Sequence, residues 1–314
     1  MKLGCSSWSY HAAFRAGRID LREWLRRCAE EMELDGVELA DIHFPTTDPV
    51  YLREIKKLCI DLQLTLAGVA VTNDFGPDDN RAEETEKVRQ WCDIAAVLGA
   101  PIVRIFAGWT PAPAANEPES GRIVGLFRKV FGAPQPNPRR TWSDLTWALR
   151  QSADHGAERG VVVALQNSAR AGLVGSGLEL DQCLQDVGSA WLRVCLDPAD
   201  LPDQARLEAA LQRTVQVHAR LHDVQEDGSD AAIHWPELLR MLRLASYRGF
   251  VLIDYDGAEE PETAVPRSAR YLSATLQAIA RRELLMPPGL APEPNGNGAE
   301  TFDAAAVFRA TTNT

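Results

Sequence analysis

The sequence lacks the features that would place this chain in a membrane or on nucleic acid. It has no run of about 18 apolar residues, the minimum for a membrane-spanning helix. It also has no basic excess. The formal net charge is −11 at pH 7, whereas proteins that grip nucleic-acid phosphates present a basic surface. We therefore expect neither a membrane nor a nucleic acid as a partner.

Paired cysteines and a secretory leader are missing as well. The six cysteines are scattered without a C-x-x-C pair, which argues against a zinc cluster or a disulfide framework and favours buried free thiols. The first residues, 1–5, lead at once into an apolar run typical of a strand, without the apolar core of a signal peptide. The sequence therefore predicts a cytoplasmic protein.

What the sequence does contain is a repeated pattern. Short runs rich in Val, Ile, Leu, Ala and Cys, most of them ending in a polar or charged residue, alternate with segments of helical character. Parallel strands that are buried on both faces show such continuous apolar runs, and they need helical crossovers. Eight units in series predict an α/β fold, a (β/α)8 TIM barrel. The runs are Leu3–Ser7, Val37–Asp41, Leu64–Asn73, Ile102–Gly108, Val161–Asn167, Leu192–Asp197, Val215–Asp223 and Phe250–Asp256.

The segments between the runs predict helices and one long loop. Six prolines interrupt the rhythm within residues 109–140, which indicates a long loop after the fourth strand, either a lid over the site or an insertion without a role. We expect a barrel domain over residues 1–285 and a flexible Pro/Gly/Asn-rich tail over residues 286–314. The predicted helices begin near Asp20, at Pro49 and near Asn80, and then span about Ser143–Arg159, Leu178–Val187, Pro202–Arg213, Trp235–Leu244 and Pro261–Leu284.

Active sites of TIM barrels lie at the carboxyl ends of the strands, so the polar and aromatic residues there form the candidate site. Arg104 is placed to grip a phosphate or carboxylate of a substrate, or to form a structural ion pair with Glu38. The aromatic candidates fit either a sugar pocket or loop packing, and the asparagines fit either sugar hydroxyls or turns. The candidate substrate-binding residues are Trp8, Asn73, Arg104, Trp109, Gln166, Asn167 and Arg220.

Several of these strand ends, taken in order, resemble a known enzyme group. Gly36-Val37-Glu38-Leu39, Cys195-Leu196-Asp197-Pro198 and the run Val217–Asp223 are similar to motifs of the sugar phosphate isomerase/epimerase group in the xylose-isomerase-like TIM-barrel superfamily. The resemblance covers roughly residues 1–284. It implies an isomerase or epimerase of carbohydrate metabolism that acts on a small carbohydrate, polyol or keto-sugar.

The resemblance also implies a metal site, from which this sequence departs. Enzymes of the group commonly hold Mn or Mg with Glu, Asp, His and Glu on strands five to eight. The matching residues here are Gln166, Asp197, Arg220 and Asp254. An amide is a weak ligand and a guanidinium cannot ligate, so we expect weak or absent metal binding, with Asp197 and Asp254 as the remaining ligands. Arg220 is then predicted to pair with these two carboxylates, although a rearranged set that adds Asp200 and His222 stays open. No nucleotide cofactor is expected.

The same substitutions limit the reactions that this site is expected to catalyse. Gln166 does not titrate, which disfavours epimerisation by two opposed bases. Single-base chemistry remains, such as isomerisation, elimination or hydration, with Asp254 or Glu38 as the base and His222 or His11 as the acid. The alternative is a non-catalytic barrel that binds a carbohydrate-like ligand or a partner subunit. A homo-oligomer is compatible with either hypothesis.

Overall fold

Eight parallel strands close into a barrel in chain order, with β8 hydrogen-bonded to β1, in a computed structural model of the protein. The structure describes residues 1–76, 80–108, 138–168, 174, 177–201, 207 and 210–285. The predicted TIM barrel is confirmed. The strands are β1 Lys2–Ser6, β2 Gly36–Ala40, β3 Thr65–Ala70, β4 Ile102–Phe106, β5 Val162–Gln166, β6 Leu192–Leu196, β7 Thr214–Leu221 and β8 Phe250–Tyr255.

Helices connect the strands around the outside of the barrel. Short 3-10 turns at Ser7–Tyr10, Asp41–His43 and Pro198–Asp200 follow β1, β2 and β6. The described helices are α1 His11–Arg15, α2 Leu21–Glu30, α3 Pro49–Asp61, α4 Arg81–Leu98, α5 Pro138–Arg159, α6 Gly177–Val187, α7 Trp235–Leu244 and α8 Pro261–Leu285.

Within the described residues, no helix combines the length and the apolar character that crossing a bilayer takes.

Most element boundaries agree with the sequence pattern, and one helix does not. Helix α5 begins at Pro138, several residues before the predicted start near Ser143. Proline is well tolerated in the first helical turn because its fixed φ suits the helix and its missing N–H would have no partner there. The sequence predicts the loop over residues 109–140, but its residues 138–140 belong to α5 instead. Residues 109–137, most of the predicted helix at 202–213 and the tail over residues 286–314 lie outside the described residues.

The core lies between the barrel and its helices. In α2, Asp20 caps the N-terminus by accepting from the backbone N of Glu23 at 2.8 Å. The helix then buries the predicted face of Leu21, Trp24, Leu25 and Cys28. All six cysteines are free and buried, as expected of small apolar side chains.

Side-chain amides fasten the carboxyl ends of neighbouring strands to each other. Asn73, just beyond β3, donates to the Phe106 carbonyl at 2.8 Å and accepts from the Phe106 N–H at 2.9 Å. Asn167, at the end of β5, makes the same two bonds with the backbone of Asp197, both at 2.8 Å. Each side-chain amide thus makes the two hydrogen bonds that a neighbouring backbone would make if the strand pairing continued. The backbone N–H and C=O groups of Phe106 and Asp197 are therefore satisfied.

Short hydroxyl and carboxylate side chains do the same elsewhere on the rim. Ser7 accepts from the N–H of Ala40 at 2.9 Å, and Asp41 accepts from the N–H of Thr72 at 3.1 Å. Ser9 accepts from the N–H of Tyr255 at 2.9 Å and closes the barrel between β8 and β1. We call Ser7, Ser9, Asp41, Asn73 and Asn167 the rim clamps. They explain why so many of the apolar runs end in a polar residue.

Replacing Asn167 by Ala tests the rim clamps. The change leaves the buried N–H of Asp197 without its partner and removes one of the two hydrogen bonds to the Asp197 carbonyl, which keeps the N–H of Asp200 at 3.3 Å, so we expect a loss of about 1–3 kcal/mol in the free energy of unfolding. Urea denaturation measures it. Asn80→Ala is the matched control, because Asn80 is exposed and makes no side-chain capping bond. Equal stability of the two variants would contradict a structural role for Asn167.

Candidate active site

A cavity of about 520 Å³ opens at the carboxyl ends of the strands, where the fold places its variable loops. Carboxylates are the most numerous type of side chain in its described wall, and two arginines lie among them. Among the described residues, the cavity is lined by Trp8, Thr72, Asn73, Asp74, Glu84, Arg104, Phe106, Gln166, Ser168, Asp197, Asp200, Arg220, Asp254 and Asp256.

A buried histidine joins two carboxylates beneath this cavity. His218 on β7 places Nε2 at 3.2 Å from Glu38 Oε2 and Nδ1 at 3.2 Å from Asp254 Oδ2. Both ring nitrogens face carboxylate oxygens, so both carry a proton and the ring is an imidazolium. Gln216 also donates to Glu38 Oε1 at 2.5 Å. We call Glu38, His218 and Asp254 the carboxylate–histidine bridge.

Electrostatics within the bridge keep these groups charged despite complete burial of Glu38 and His218. Burial alone would raise the pKa of Glu38, but His218 and Arg104 outweigh it and lower that pKa to about 2. Burial likewise works to lower the pKa of His218. Cys195, Glu38 and Asp254 together outweigh it and hold that pKa well above its ordinary value. Glu38 is therefore a permanent anion and a poor base, and its part is to hold His218.

The carboxylate–histidine bridge orients the Asp254 side chain through one of its two carboxylate oxygens. His218 occupies Oδ2, whereas the buried Oδ1 has no hydrogen-bond partner among the described residues. Gln166 lines the same cavity, and its Oε1 is likewise buried without a partner. An unsatisfied buried acceptor is costly, and both oxygens are available to accept a further hydrogen bond.

Arg220 occupies the middle of an acidic group on the other side of the cavity. Its Nε lies 3.3 Å from Asp197 Oδ2, and its Nη2 donates to Asp200 Oδ1. The sequence predicted Asp254 as the second partner. The structure has Asp200 instead, because His218 engages Asp254 and the 3-10 turn after β6 brings Asp200 to Arg220. Burial raises the pKa of Asp197 to about 7, although Arg220 works to lower it.

An aromatic and histidine cluster forms the rim beside Trp8. His11 stacks on Trp8 with ring centroids 4.6 Å apart, and Phe14 stacks on His43 at 4.1 Å. His43 Nδ1 bonds Ser7 Oγ at 2.8 Å, and its Nε2 lies 3.2 Å from His11 Nδ1. Burial, followed by the influence of His11, lowers the pKa of His43 to about 4, and burial also lowers the pKa of His11. The cluster is therefore neutral at pH 7.

The structure brings most of the predicted site residues to one cavity. Trp8, Asn73, Arg104, Gln166, Asp197, Arg220 and Asp254 line it, whereas Trp109 lies outside the described residues. As rim clamps, Asn73 and Asn167 use their side-chain amides to hydrogen-bond backbone groups of neighbouring strands, and Asn167 is fully buried.

Two histidines differ from the sequence analysis. Alternation of side chains along β7 would place His222 on the same face of the strand as Arg220. The strand ends at Leu221, however, so His222 lies just beyond it and does not follow the alternation. The His222 side chain is 65% exposed and contacts Asp256 at 3.0 Å. His218, by contrast, was not assigned to the site. Its signal is the strand alternation itself, because it lies two residues before Arg220 on the inward face.

The family sequence profile described as "Xylose isomerase-like TIM barrel" matches residues 26–275, and the chain belongs to this family. The family assignment made from the strand-end motifs is thereby confirmed. No curated protein sequence matches the chain at a significant level.

Solved structures with the same fold include several sugar epimerases. The 3-keto-D-glucoside 4-epimerase from E. coli has a TM-score of 0.65 and 18% identity, with 87% of this chain and 99% of that chain covered. D-psicose 3-epimerase from Clostridium cellulolyticum H10 has a TM-score of 0.69 and 14% identity, covering 90% and 99%. An L-ribulose 3-epimerase has a TM-score of 0.65 and 14% identity, covering 93% and 99%. At these identities the likeness establishes the fold.

Acid should destabilise the protein through His43. Its pKa falls from 6.5 to about 4 on folding, so the unfolded chain binds a proton that the folded chain does not as the pH drops through this window. We expect a loss of about 3 kcal/mol of unfolding free energy between pH 6.5 and 4 from this residue. His43→Gln should flatten that part of the pH profile in urea denaturation. The exposed His222→Gln is the control, and identical profiles for wild type and His43→Gln would refute the assignment.

Proposed function

We propose that this chain is a sugar isomerase that moves a proton between adjacent carbons of a small keto- or aldo-sugar, with Asp254 as the single base. The observation that carries the proposal is the environment of Asp254. One of its oxygens is held by His218, and the other is buried at the cavity without a partner among the described residues. A base needs such a fixed orientation and one open lone pair.

The family and its solved members support a carbohydrate as the substrate. The chain belongs to the xylose isomerase-like TIM barrels. Neighbouring structures of the same fold are named as epimerases of keto-sugars and of a 3-keto-glucoside. The cavity of about 520 Å³, lined mostly by polar residues together with Trp8 and Phe106, is of a size and character that suit a small polyhydroxy compound.

The proposed reaction is an enolisation that uses one face of the sugar. Asp254 takes the proton from the carbon next to the carbonyl, and the C–H electron pair forms the C=C bond of an enediolate while the carbonyl π electrons move to oxygen. Protonated Asp254 then returns the proton to the former carbonyl carbon, with the C=C pair forming the new C–H bond. The hydroxyl on the adjacent carbon gives its proton to the enediolate oxygen, and its O–H pair becomes the π bond of the new carbonyl. Gln166 has an amide where a second carboxylate would be needed to work on the opposite face, so the reaction retains a single base.

No step of the proposed reaction uses a divalent metal, because the side chains at the position where the family usually binds one do not fit a metal ion. Arg220 cannot ligate, and its guanidinium already contacts Asp197 and Asp200. Within the described part of the chain, no group of three His, Cys, Asp or Glu side chains is arranged to hold a metal ion. We infer that Arg220 supplies the positive charge that keeps Asp197 and Asp200 together.

The other predicted catalytic residues receive different parts in this proposal. Glu38 acts as the counter-ion that keeps His218 protonated, since its own pKa of about 2 makes it a weak base. We assign no catalytic part to His222, because its side chain points to solvent and contacts Asp256. A barrel that binds sugars without turnover is the competing function, and the following experiment separates the two.

Asp254→Asn should abolish proton exchange but preserve ligand binding. We would incubate the protein in D2O with a panel of aldoses and ketoses and follow deuterium entry next to the carbonyl by NMR. The exchange rate should fall at least about 100-fold, because the amide cannot accept the proton. Calorimetric binding of the same sugar should change little. Asp61→Asn, a surface change on α3, is the control. Sugar binding by the wild type without any exchange would favour the non-catalytic alternative.

The metal position gives a second test. We expect the wild type to bind no stoichiometric Mn²⁺ in calorimetry or in metal analysis after dialysis, because Arg220 fills the place of a ligand. The double change Gln166→Glu, Arg220→His restores an anionic oxygen and an imidazole beside Asp197 and Asp254, so it should gain Mn²⁺ binding. Arg27→Gln is the surface control. Stoichiometric Mn²⁺ on the wild type would overturn the metal-free proposal.

A further inference from the structure

A second arginine in the cavity wall, Arg104, has unused donors. It lies on the inner face of β4, and its side chain is only 5% exposed. Its Nε and Nη1 are buried and have no hydrogen-bond partner among the described residues. The guanidinium lies over the ring of Phe106, with Cζ 4.6 Å from the ring centroid. Packing therefore holds its plane in one orientation at the cavity.

The carboxylate of Glu38 compensates only part of the positive charge of the Arg104 guanidinium. The nearest approach of its carboxylate, from Oε2 to Arg104 Nη2, is 3.9 Å, which is too long for a hydrogen bond. The other oxygen of Glu38 is already bonded to Gln216 at 2.5 Å, and His218 contacts the same carboxylate. A buried guanidinium with unpaired N–H groups is costly, so its retention at the cavity wall needs a reason outside the ion pair.

The two arginines among the described lining residues are used differently. Arg220 directs Nε and Nη2 at Asp197 and Asp200, so its charge is already compensated. Arg104 lines the same cavity, and its Nε and Nη1 have no hydrogen-bond partner among the described residues. Positive charge for a reacting oxygen is therefore available from Arg104 rather than from the arginine at the usual metal position.

We propose that Arg104 binds the carbonyl oxygen of the substrate and stabilises the negative charge that forms on that oxygen when Asp254 removes the proton. This inference rests on the proposed function and deepens it. In the step, the C–H pair becomes the C=C bond, the carbonyl π pair becomes a lone pair on oxygen, and the proton resides on Asp254. Arg104 donates hydrogen bonds throughout and neither gains nor loses a proton.

The charge balance of the surrounding groups agrees with this role. Glu38 and Asp254 carry two negative charges, and His218 and Arg104 carry two positive charges, all linked by the contacts described above. Proton transfer to Asp254 leaves this set with one excess positive charge. An enediolate supplies one negative charge at that moment, so the whole set remains neutral.

The same balance indicates an uncharged sugar as the substrate class. A permanent anion at Arg104 would add negative charge before the reaction begins. The described cavity wall already carries six carboxylates against two guanidiniums. A neutral carbonyl compound brings no such charge and develops it only in the reaction, which is when stabilisation accelerates a reaction.

Binding of two probes to Arg104→Gln tests the assignment. One probe is glycolohydroxamate, a small planar analogue of an enediolate, and the other is D-glucitol, a polyol without a carbonyl. We expect Arg104→Gln to weaken glycolohydroxamate binding about 100-fold and D-glucitol binding less than about threefold, since removing one donor to an oxyanion has effects of that order. In the sugar-exchange assay, kcat should fall by about the same factor as hydroxamate affinity, with little change in KM.

Arg104→Lys and Arg27→Gln complete the design. Lysine keeps the charge without the fork, so it should retain part of the hydroxamate binding, and the surface variant should behave as wild type. Folding of each variant is checked by urea denaturation, and Arg104→Lys serves as the test if Arg104→Gln does not fold. Unchanged hydroxamate affinity and kcat in the Arg104 variants, with an active wild type, would overturn the role of Arg104 alone. A wild type that neither exchanges protons nor binds hydroxamate would overturn the proposed function and this inference together.

Discussion

A protonated histidine held between two carboxylates is the interaction on which the cavity floor depends. His218 is completely buried, and a buried charge persists only where opposite charges surround it. Glu38 supplies one such charge from β2 and Asp254 the other from β8. The bridge therefore ties together three strands, fixes the rotamer of Asp254 and determines which of its two oxygens faces the cavity. The polar floor and the orientation of the proposed base have one common cause.

The rim above this floor is built by a different means. Parallel strands run out of backbone partners at their carboxyl ends, which is also where a TIM barrel places its site. The rim clamps satisfy those backbone groups with short polar side chains, and so the strand ends stay in place without further ladder bonds. Asn167 illustrates the consequence, since its two bonds hold the backbone of Asp197. Polar residues at strand ends are thus divided between holding the scaffold and facing the ligand.

Charge compensation replaces metal coordination in the interpretation that we favour. Two guanidiniums lie in the described part of the cavity wall. Arg220 is paired with carboxylates, and Arg104 has two N–H groups without a hydrogen-bond partner among the described residues. A divalent metal in related chemistry would hold acidic side chains and polarise the substrate with a single ion. In our proposal the two tasks fall to separate arginines. Arg220 holds Asp197 and Asp200, and Arg104 stabilises the reacting oxygen.

The sequence by itself determined the barrel, its strand order, the family and seven of the fourteen described residues that line the cavity. Those follow from local patterns: apolar runs of strand length, helical segments between them, and polar residues where each run ends. Sequence motifs also identified Gln166 and Arg220 as departures from the usual metal ligands. These features depend on neighbours along the chain, so they are readable without coordinates.

Only the tertiary structure decided which of these residues meet. Glu38 and His218 are 180 residues apart and touch because β2 and β7 direct them into one barrel interior. The ends of the strands determined two further contacts. Strand β7 ends at Leu221, so the His222 side chain lies in solvent. The turn after β6 places Asp200, instead of Asp254, beside Arg220. A strand's alternation predicts a face, whereas register, closure and the exact residue at which the strand ends determine the partner across the barrel.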